Sequence, residues 1–168
     1  MKKQKRVEEE DKEDVEDRDY IAVKDIMNPD VVWAKPDDTI ESVAKMMYKN
    51  RIEGIFMLDI DENMKIKKGG VITTKDIVYK VVAKGKDPKK VKVKDVATKG
   101  LITISPDASL EEAAKLMRSK DIRRLAVEDE KGIIVGVITE SDIARASPEI
   151  IRWMIERRTT YRDFIQQE

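Results

Sequence analysis

Hydrophobic residues recur with a helical period in two segments of this chain. Spacings of three and four residues between them predict amphipathic helices, each with one face toward a core. Ser109 and Glu112 form a Ser-x-x-Glu capping box at the start of the second helix. Short apolar runs flank both helices and predict strands. The apolar helix positions are Ile40, Val43, Ala44 and Met47 in the first segment, and Leu110, Ala113, Ala114 and Met117 in the second.

The two segments belong to an internal repeat. Val23–Met27 recurs as Val93–Ala97, an offset of 70 residues that holds through the predicted helix. The offset shortens to 66 where Gly70–Thr73 recurs as Gly136–Thr139, because the first copy has a larger loop at 61–68. Each copy follows the order strand, helix, strand, strand, helix. The sequence therefore predicts two copies of one β-α-β-β-α unit, of mixed α/β (α+β) class.

Composition divides the chain into five parts. The first part has six positive and nine negative residues and few apolar ones. Such a segment buries too little surface to offset its ordering entropy, which predicts a disordered tail; an isolated charged helix and a partner-binding arm are the alternatives. Gly85 and Pro88 mark the joint between the copies. The predicted parts are the tail 1–20, the first repeat 21–83, the linker 84–92, the second repeat 93–146 and a C-terminal helical extension 147–168.

The C-terminal extension carries a helix-start signal. Ser147 is a favourable N-cap, Pro148 suits the first helical position and Glu149 suits the first turn. The apolar residues that follow are more numerous than the single stripe a surface helix needs. We therefore expect a homodimer with this helix at or beside the interface, the alternative being a helix that folds back on its own module. These residues are Ile150, Ile151, Trp153, Met154 and Ile155.

Composition also limits the chemistry. The 168 residues include 34 basic and 34 acidic ones, a balance that argues against a surface tuned for nucleic acid or anionic membrane. Histidine and cysteine are absent, which excludes disulfides, Cys/His zinc sites and His-dependent catalytic triads. No apolar run approaches the roughly 18 residues that span a bilayer. We expect a cytoplasmic protein that is no enzyme and has neither a metal site nor a dedicated cofactor.

The repeated motifs resemble those of the cystathionine-β-synthase (CBS) domain family, whose tandem pairs form a Bateman module. The resemblance covers about residues 21–146 and rests on the paired Gly-h-h-Thr-x-x-Asp segments (h is apolar), Gly70–Asp76 and Gly136–Asp142. The Pro-Asp turn before each helix and the strand Ile122–Val127 support it. The resemblance implies two units packed through their sheets about a pseudo-two-fold axis, leaving two clefts. In many members these clefts bind AMP, ADP, ATP, S-adenosylmethionine or NAD.

A nucleoside site needs an apolar slot for the base, an acceptor for the ribose hydroxyls and donors for phosphates. We predict that Asp76 and Asp142 accept hydrogen bonds from the ribose hydroxyls. The predicted phosphate donors are the hydroxyls of Thr73 and Thr139 together with the free amides at each helix start. The same Thr-x-x-Asp pattern is also a capping box that needs no ligand. For the base we predict slots formed by Ile102 and Ile122 in the second copy and by Val32 and Ile52 in the first.

The two copies differ at the predicted phosphate end. Arg123 and Arg124 stand where the first copy has Glu53 and Gly54. Two guanidinium groups favour a polyphosphate, whereas Glu53 would repel one, with partial compensation from Lys75. We therefore predict the better nucleotide site in the second copy.

The copies also differ at one position of the predicted base slot. Trp33 in the first copy replaces Thr103, which we include in the predicted second-copy site. An indole at this position would stack on a base, fill the slot or simply pack in the core.

These features predict a regulatory module that binds an adenosyl ligand without turnover and signals to a partner protein. A protein-interaction or oligomerisation module with empty clefts is the alternative. Nucleic-acid binding through the Lys-rich stretch 84–94 is disfavoured, because no aromatic interleaving or recognition helix accompanies the positive charge.

Overall fold

The computed structural model describes residues 20–63 and 65–147. It confirms two β-α-β-β-α units, each preceded by a short helical turn. The elements of the first repeat are α1 (Val23–Ile26), β1 (Trp33–Ala34), α2 (Ile40–Asn50), β2 (Gly54–Ile60), β3 (Ile66–Thr73) and α3 (Thr74–Ile77), which continues as a π-helical turn (Val78–Val82). Those of the second are a 3₁₀ turn (Val93–Asp95), β4 (Thr98–Lys99), β5 (Thr103–Ile104), α4 (Leu110–Ser119), β6 (Arg124–Glu128), β7 (Ile134–Thr139) and α5 (Glu140–Ala146).

The long helices form as their sequences predict. The side chains of Thr39 and Ser109 cap α2 and α4, and Ser109 shares a capping box with Glu112. All four predicted apolar positions of α4 are buried. In α2 the prediction is wrong for Ala44, which is exposed because it faces an open groove beside the helix.

Two sheets bring the repeats together. Strand order is β1-β2-β3-β4 in one sheet and β5-β6-β7 in the other. In each repeat the first strand runs parallel to the second, and the second pairs antiparallel with the third. Phe56 and Leu58 of one sheet and Ala126 of the other are buried in a common cluster. Burial of this shared apolar layer holds the repeats face to face.

The short turn before each repeat packs on the opposite repeat. Val23 of α1 is fully buried in the core of the second repeat, and its amide donates to Ala108 O at 2.8 Å. Val93 of the 3₁₀ turn is likewise buried in the core of the first repeat, and its amide donates to Asp38 O at 2.9 Å. Each core is therefore completed by a segment from the other half of the sequence, which the sequence analysis did not foresee.

The motif glycines make room for this exchange. A Cβ atom on Gly70 would lie 2.5 Å from Thr98 O, and one on Gly136 would lie 2.5 Å from Met27 Sδ and 3.2 Å from Asn28 O. A Cβ at position 70 would therefore displace the main chain at Thr98, and one at position 136 would displace the side chain of Met27. The repeated glycine of the motif thus has a packing role in each half of the module.

Two sequence predictions fall outside the part of the chain that the structure describes. They are the tail, of which only Tyr20 is described, and the C-terminal extension beyond Ser147. Within the described ranges, no helix combines the length and the apolar character that crossing a bilayer requires.

Candidate functional site

A cleft of about 650 Å³ opens between the two repeats. Its size suits a small-molecule ligand. Both repeats contribute to it, so neither could form it alone. It is lined by residues 28, 30–32 and 50–56 of the first half and by residues 123, 124, 137, 139–142 and 145 of the second half.

Most apolar residues of this cleft belong to the first repeat, whereas the Thr-x-x-Asp motif that lines it belongs to the second. Val32 and Ile52 line it together with Thr139 and Asp142. Ile102 and Ile122 instead pack against the core of the second repeat. The sequence analysis grouped Asp142 with Ile102 and Ile122, whereas this cleft brings Asp142 together with Val32 and Ile52. The reason is the face-to-face packing of the sheets, which sets the strand-to-helix turn of one repeat against the apolar residues of the other.

The carboxylate of Asp142 is held inside a complete capping box at the start of α5. The amide and hydroxyl of Thr139 donate to Asp142 Oδ2 at 2.9 and 2.6 Å, and Asp142 N donates to Thr139 Oγ1 at 3.3 Å. The second carboxylate oxygen, Oδ1, accepts from Arg145 Nη2 at 2.9 Å. Oδ2 of this carboxylate therefore serves the capping box. Oδ1 could release Arg145 and accept a hydrogen bond from a ligand instead.

Asp76 repeats this arrangement at the start of α3. The amide and hydroxyl of Thr73 donate to Asp76 Oδ2 at 3.0 and 2.7 Å, and Lys80 Nζ lies 2.8 Å from Oδ1. Burial raises the pKa of Asp76, but hydrogen bonds from Lys80 and Thr73 outweigh it, so the pKa lies below its ordinary value.

The cations that cover the two carboxylates are not equally easy to move. The side chain of Arg145 is 76% exposed and that of Lys80 is 43% exposed. Lys80 Nζ also donates to Val96 O at 2.9 Å, which ties it to the protein at a second point. An exposed ion pair is weak and easily displaced. Asp142 is therefore more available to a ligand than Asp76.

Most of the predicted phosphate donors are already engaged. The amides of Thr139 and Asp142 and the Thr139 hydroxyl act within the capping box, and Glu140 N donates to Arg123 O at 3.0 Å. The expectation of free amides at these positions was therefore wrong, because the helix start satisfies its own backbone. The arginines and Ser141 are donors in this cleft that these bonds leave for phosphate contacts.

Arg124 crosses from the second repeat to the first. Its Nη1 donates to Gly54 O at 2.6 Å, and its guanidinium occupies the space where a side chain at position 54 would lie. Burial and the neighbouring charge of Arg123 lower the pKa of Arg124, and Glu53 opposes them. Arginine nevertheless stays protonated at neutral pH. The cleft therefore contains a half-buried positive charge on the boundary between the repeats.

The remaining predicted residues lie elsewhere. Trp33 packs in the apolar cluster between the sheets, in line with the core-packing interpretation. Thr103 lies in β5, paired with Ala126 of β6. The Nζ atom of Lys75 on α3 lies 5.6 Å from the centroid of the Tyr79 ring on the π-helical turn. None of these three side chains lines the cleft between the repeats.

Sequence analysis missed two arginines that line this cleft. Arg145 follows Asp142 by three residues, a helical spacing that predicts an ion pair once the helix start is known. Arg51 ends α2 in the left-handed conformation, with φ 54°. No local pattern predicted that placement. Among the described residues, no group of three or more Asp or Glu side chains could hold a metal ion.

Comparison with known proteins identifies the family. The family model of the CBS domain matches residues 23–83 and 93–149, which together form most of the chain. The chain belongs to the CBS domain family. The tandem CBS arrangement agrees with the two face-to-face repeats.

Relatives place the chain among other CBS proteins. It is 34% identical over 143 residues to an uncharacterized protein of Methanopyrus kandleri, covering 85% of this chain and 71% of that protein. A solved CBS domain pair in complex with 5′-methylthioadenosine and S-adenosyl-L-methionine has a TM-score of 0.64 and 28% identity, covering 76% of this chain and 95% of that one. A hexameric CBS-CP12 protein from bloom-forming cyanobacteria has a TM-score of 0.67 and 30% identity, covering 76% and 72%.

Proposed function

We propose that this chain is a cytoplasmic, non-catalytic regulatory module that binds an adenine nucleotide or related adenosyl ligand and signals to a partner protein. The observation that carries the proposal is the cleft between the repeats. It combines apolar side chains, an available carboxylate and several arginines in a volume of about 650 Å³. A similar CBS pair has been solved with 5′-methylthioadenosine and S-adenosyl-L-methionine, which supports an adenosyl ligand here.

Each part of such a ligand has a complementary group in the cleft. Val32 and Ile52 offer an apolar wall for the base. Asp142 Oδ1 would accept from a ribose hydroxyl after the exposed Arg145 side chain moves aside. The guanidinium groups of Arg123 and Arg124 would then face phosphates, for which arginine supplies paired donors. Four carboxylates, Asp30, Glu53, Glu140 and Asp142, balance the four arginines that line the cleft, so its net charge does not choose between AMP, ADP or ATP and the cationic S-adenosylmethionine.

A thermal-shift panel tests the proposal directly. We expect at least one of AMP, ADP, ATP, S-adenosylmethionine and NAD to stabilise the full chain by about 2.7 kcal/mol at one hundred times its dissociation constant. For a chain of this size that corresponds to a rise in Tm of roughly 5–10 °C. Calorimetric titration of the same ligands then gives their affinities. No binding of any of them at millimolar concentration would contradict the proposal and favour an interaction module with empty clefts.

The proposed assembly is a homodimer with the C-terminal extension at or beside the interface. The density of apolar residues within 150–155 supports this, because an exposed patch of that kind favours association. We expect light scattering of the full chain at tens of micromolar to give twice the monomer mass, and a chain ending at Ser147 to be monomeric. A monomeric full chain would overturn the dimer. A dimeric truncated chain would refute only the role of the extension.

A further inference from the structure

A second concave surface lies on the outside of the first repeat. It is a groove of about 750 Å³ between α2 and the start of α3 and its π-helical turn. Its floor is mostly apolar, and Ile52 is the one predicted ligand-binding residue that lines it. The apolar residues that line the groove are Ala44, Met47, Tyr48, Ile52, Ile77 and Val78.

Large apolar side chains stand exposed in and beside this groove. Tyr48 is 88% exposed and Val82 is 64% exposed, and Val78 and Tyr79 are at least half exposed. Tyr48 of α2 and Val78 of the π-helical turn line the groove, and Tyr79 and Val82 lie on the same turn as Val78. Large exposed apolar side chains of this kind favour a contact site.

The matching face of the second repeat has different chemistry. By the repeat register, Arg118 corresponds to Tyr48, Ala144 to Val78 and Arg145 to Tyr79. Two of these three positions thus change from apolar or aromatic to cationic. The exposed aromatic side chains are therefore specific to the first repeat, whereas the other apolar groove positions keep apolar counterparts, such as Ala114, Met117, Ile122 and Ile143.

We propose that residues 148–168 of the same chain pack in this groove. This segment is rich in apolar residues that could pack against the groove. They are Ile150, Ile151, Trp153, Met154, Ile155, Tyr161, Phe164 and Ile165. Its 21 residues reach about 30 Å even when fully helical. An apolar segment that long can cover the face from Tyr48 to Val82.

The segment begins three residues after Arg145, which lines the cleft that borders the groove. Arg145 lies two residues before Ser147, where the described chain ends, and its side chain lines the cleft between the repeats. Arg51, Ile52 and Glu53 line that cleft and the groove alike. The described chain therefore ends near a cleft whose lining adjoins the groove of the same chain. One apolar face of the segment would fill the groove, and the remaining apolar residues stay available for the proposed dimer contact.

The fluorescence of Trp153 can test whether the segment is packed. The chain has two tryptophans, so Trp33→Phe leaves Trp153 as the single indole reporter. In this full-length background we expect an emission maximum shorter than that of a free peptide of residues 148–168, with weaker acrylamide quenching. Val78→Asp places a charge in the groove at an exposed position and should shift the emission and quenching to the values of the free peptide. Ala144→Asp, the counterpart in the second repeat, is the matched control and should leave both unchanged.

The same measurements can overturn the proposal. Peptide-like emission of the Trp33→Phe chain would mean that the segment is not packed. A response to Ala144→Asp and none to Val78→Asp would place it on the second repeat. Emission that becomes peptide-like only on dilution below the dimer transition, followed by light scattering, would assign the groove to the segment of a second copy. Circular dichroism confirms that each variant remains folded, and Tyr48→Ser provides a second, uncharged groove variant with the same expected shift.

Discussion

Replacing Asp142 by alanine is expected to weaken adenosyl-ligand binding by about 100-fold. The variant removes the Oδ1 atom proposed to accept from the ribose, and a hydrogen bond to a charged group contributes about 1.5–3 kcal/mol. It also removes the acceptor of the Thr139 capping box, which should cost about 1 kcal/mol of stability. Calorimetric titration of the best ligand from the thermal-shift panel measures the first effect, and chemical denaturation without ligand measures the second.

Asp76→Ala is the matched control for this experiment. It removes the same capping box from α3 and should cost a similar amount of stability. Its carboxylate is covered by Lys80, which is held at two points, so we expect the affinity of the stronger site to change less than threefold. If Asp76→Ala weakens binding more than Asp142→Ala, the cleft with Asp142 is not the dominant site.

Gly70→Ala is expected to destabilise the chain by about 1–3 kcal/mol, the usual penalty for overpacking a well-filled site. The new methyl group would lie 2.5 Å from Thr98 O, a main-chain atom that cannot rotate away. The resulting loss in Tm should be roughly 3–10 °C, measured by thermal unfolding without ligand. An unchanged Tm would show that β4 can pack beside Gly70 without the close approach of Thr98 O.

Gly136→Ala supplies the comparison, because its nearest neighbour is the flexible side chain of Met27. Combining it with Met27→Ala should recover about 1 kcal/mol relative to the sum of the single variants. Combining Gly70→Ala with Thr98→Ala should recover nothing, since the clash is with the carbonyl oxygen. Equal recovery in both pairs would contradict the main-chain origin of the Gly70 effect.

Local patterns were sufficient to predict the β-α-β-β-α order of each repeat, although not α1, β4, the 3₁₀ turn or the π-helical turn. The spacing of Leu110, Ala113, Ala114 and Met117 predicted α4 with its buried face, and Ser109 predicted the residue that caps it. The 70- and 66-residue offsets predicted two copies of one unit. These features depend on neighbours within a few positions, or on similarity between the two copies, and both can be read along the chain.

Tertiary structure alone decided which residues share a site. Val23 completes the second core and Val93 the first, and Val32 and Ile52 line the cleft opposite Asp142. These contacts join distant residues, from Val93 and Asp38, which are 55 positions apart, to Val32 and Asp142, which are 110 positions apart, and they arise when two sheets bury a common apolar layer. A residue's own neighbours in sequence carry no record of that packing. The sequence therefore predicted the Thr-x-x-Asp turns correctly, whereas only the packed repeats determined which apolar wall and which arginines each turn would face.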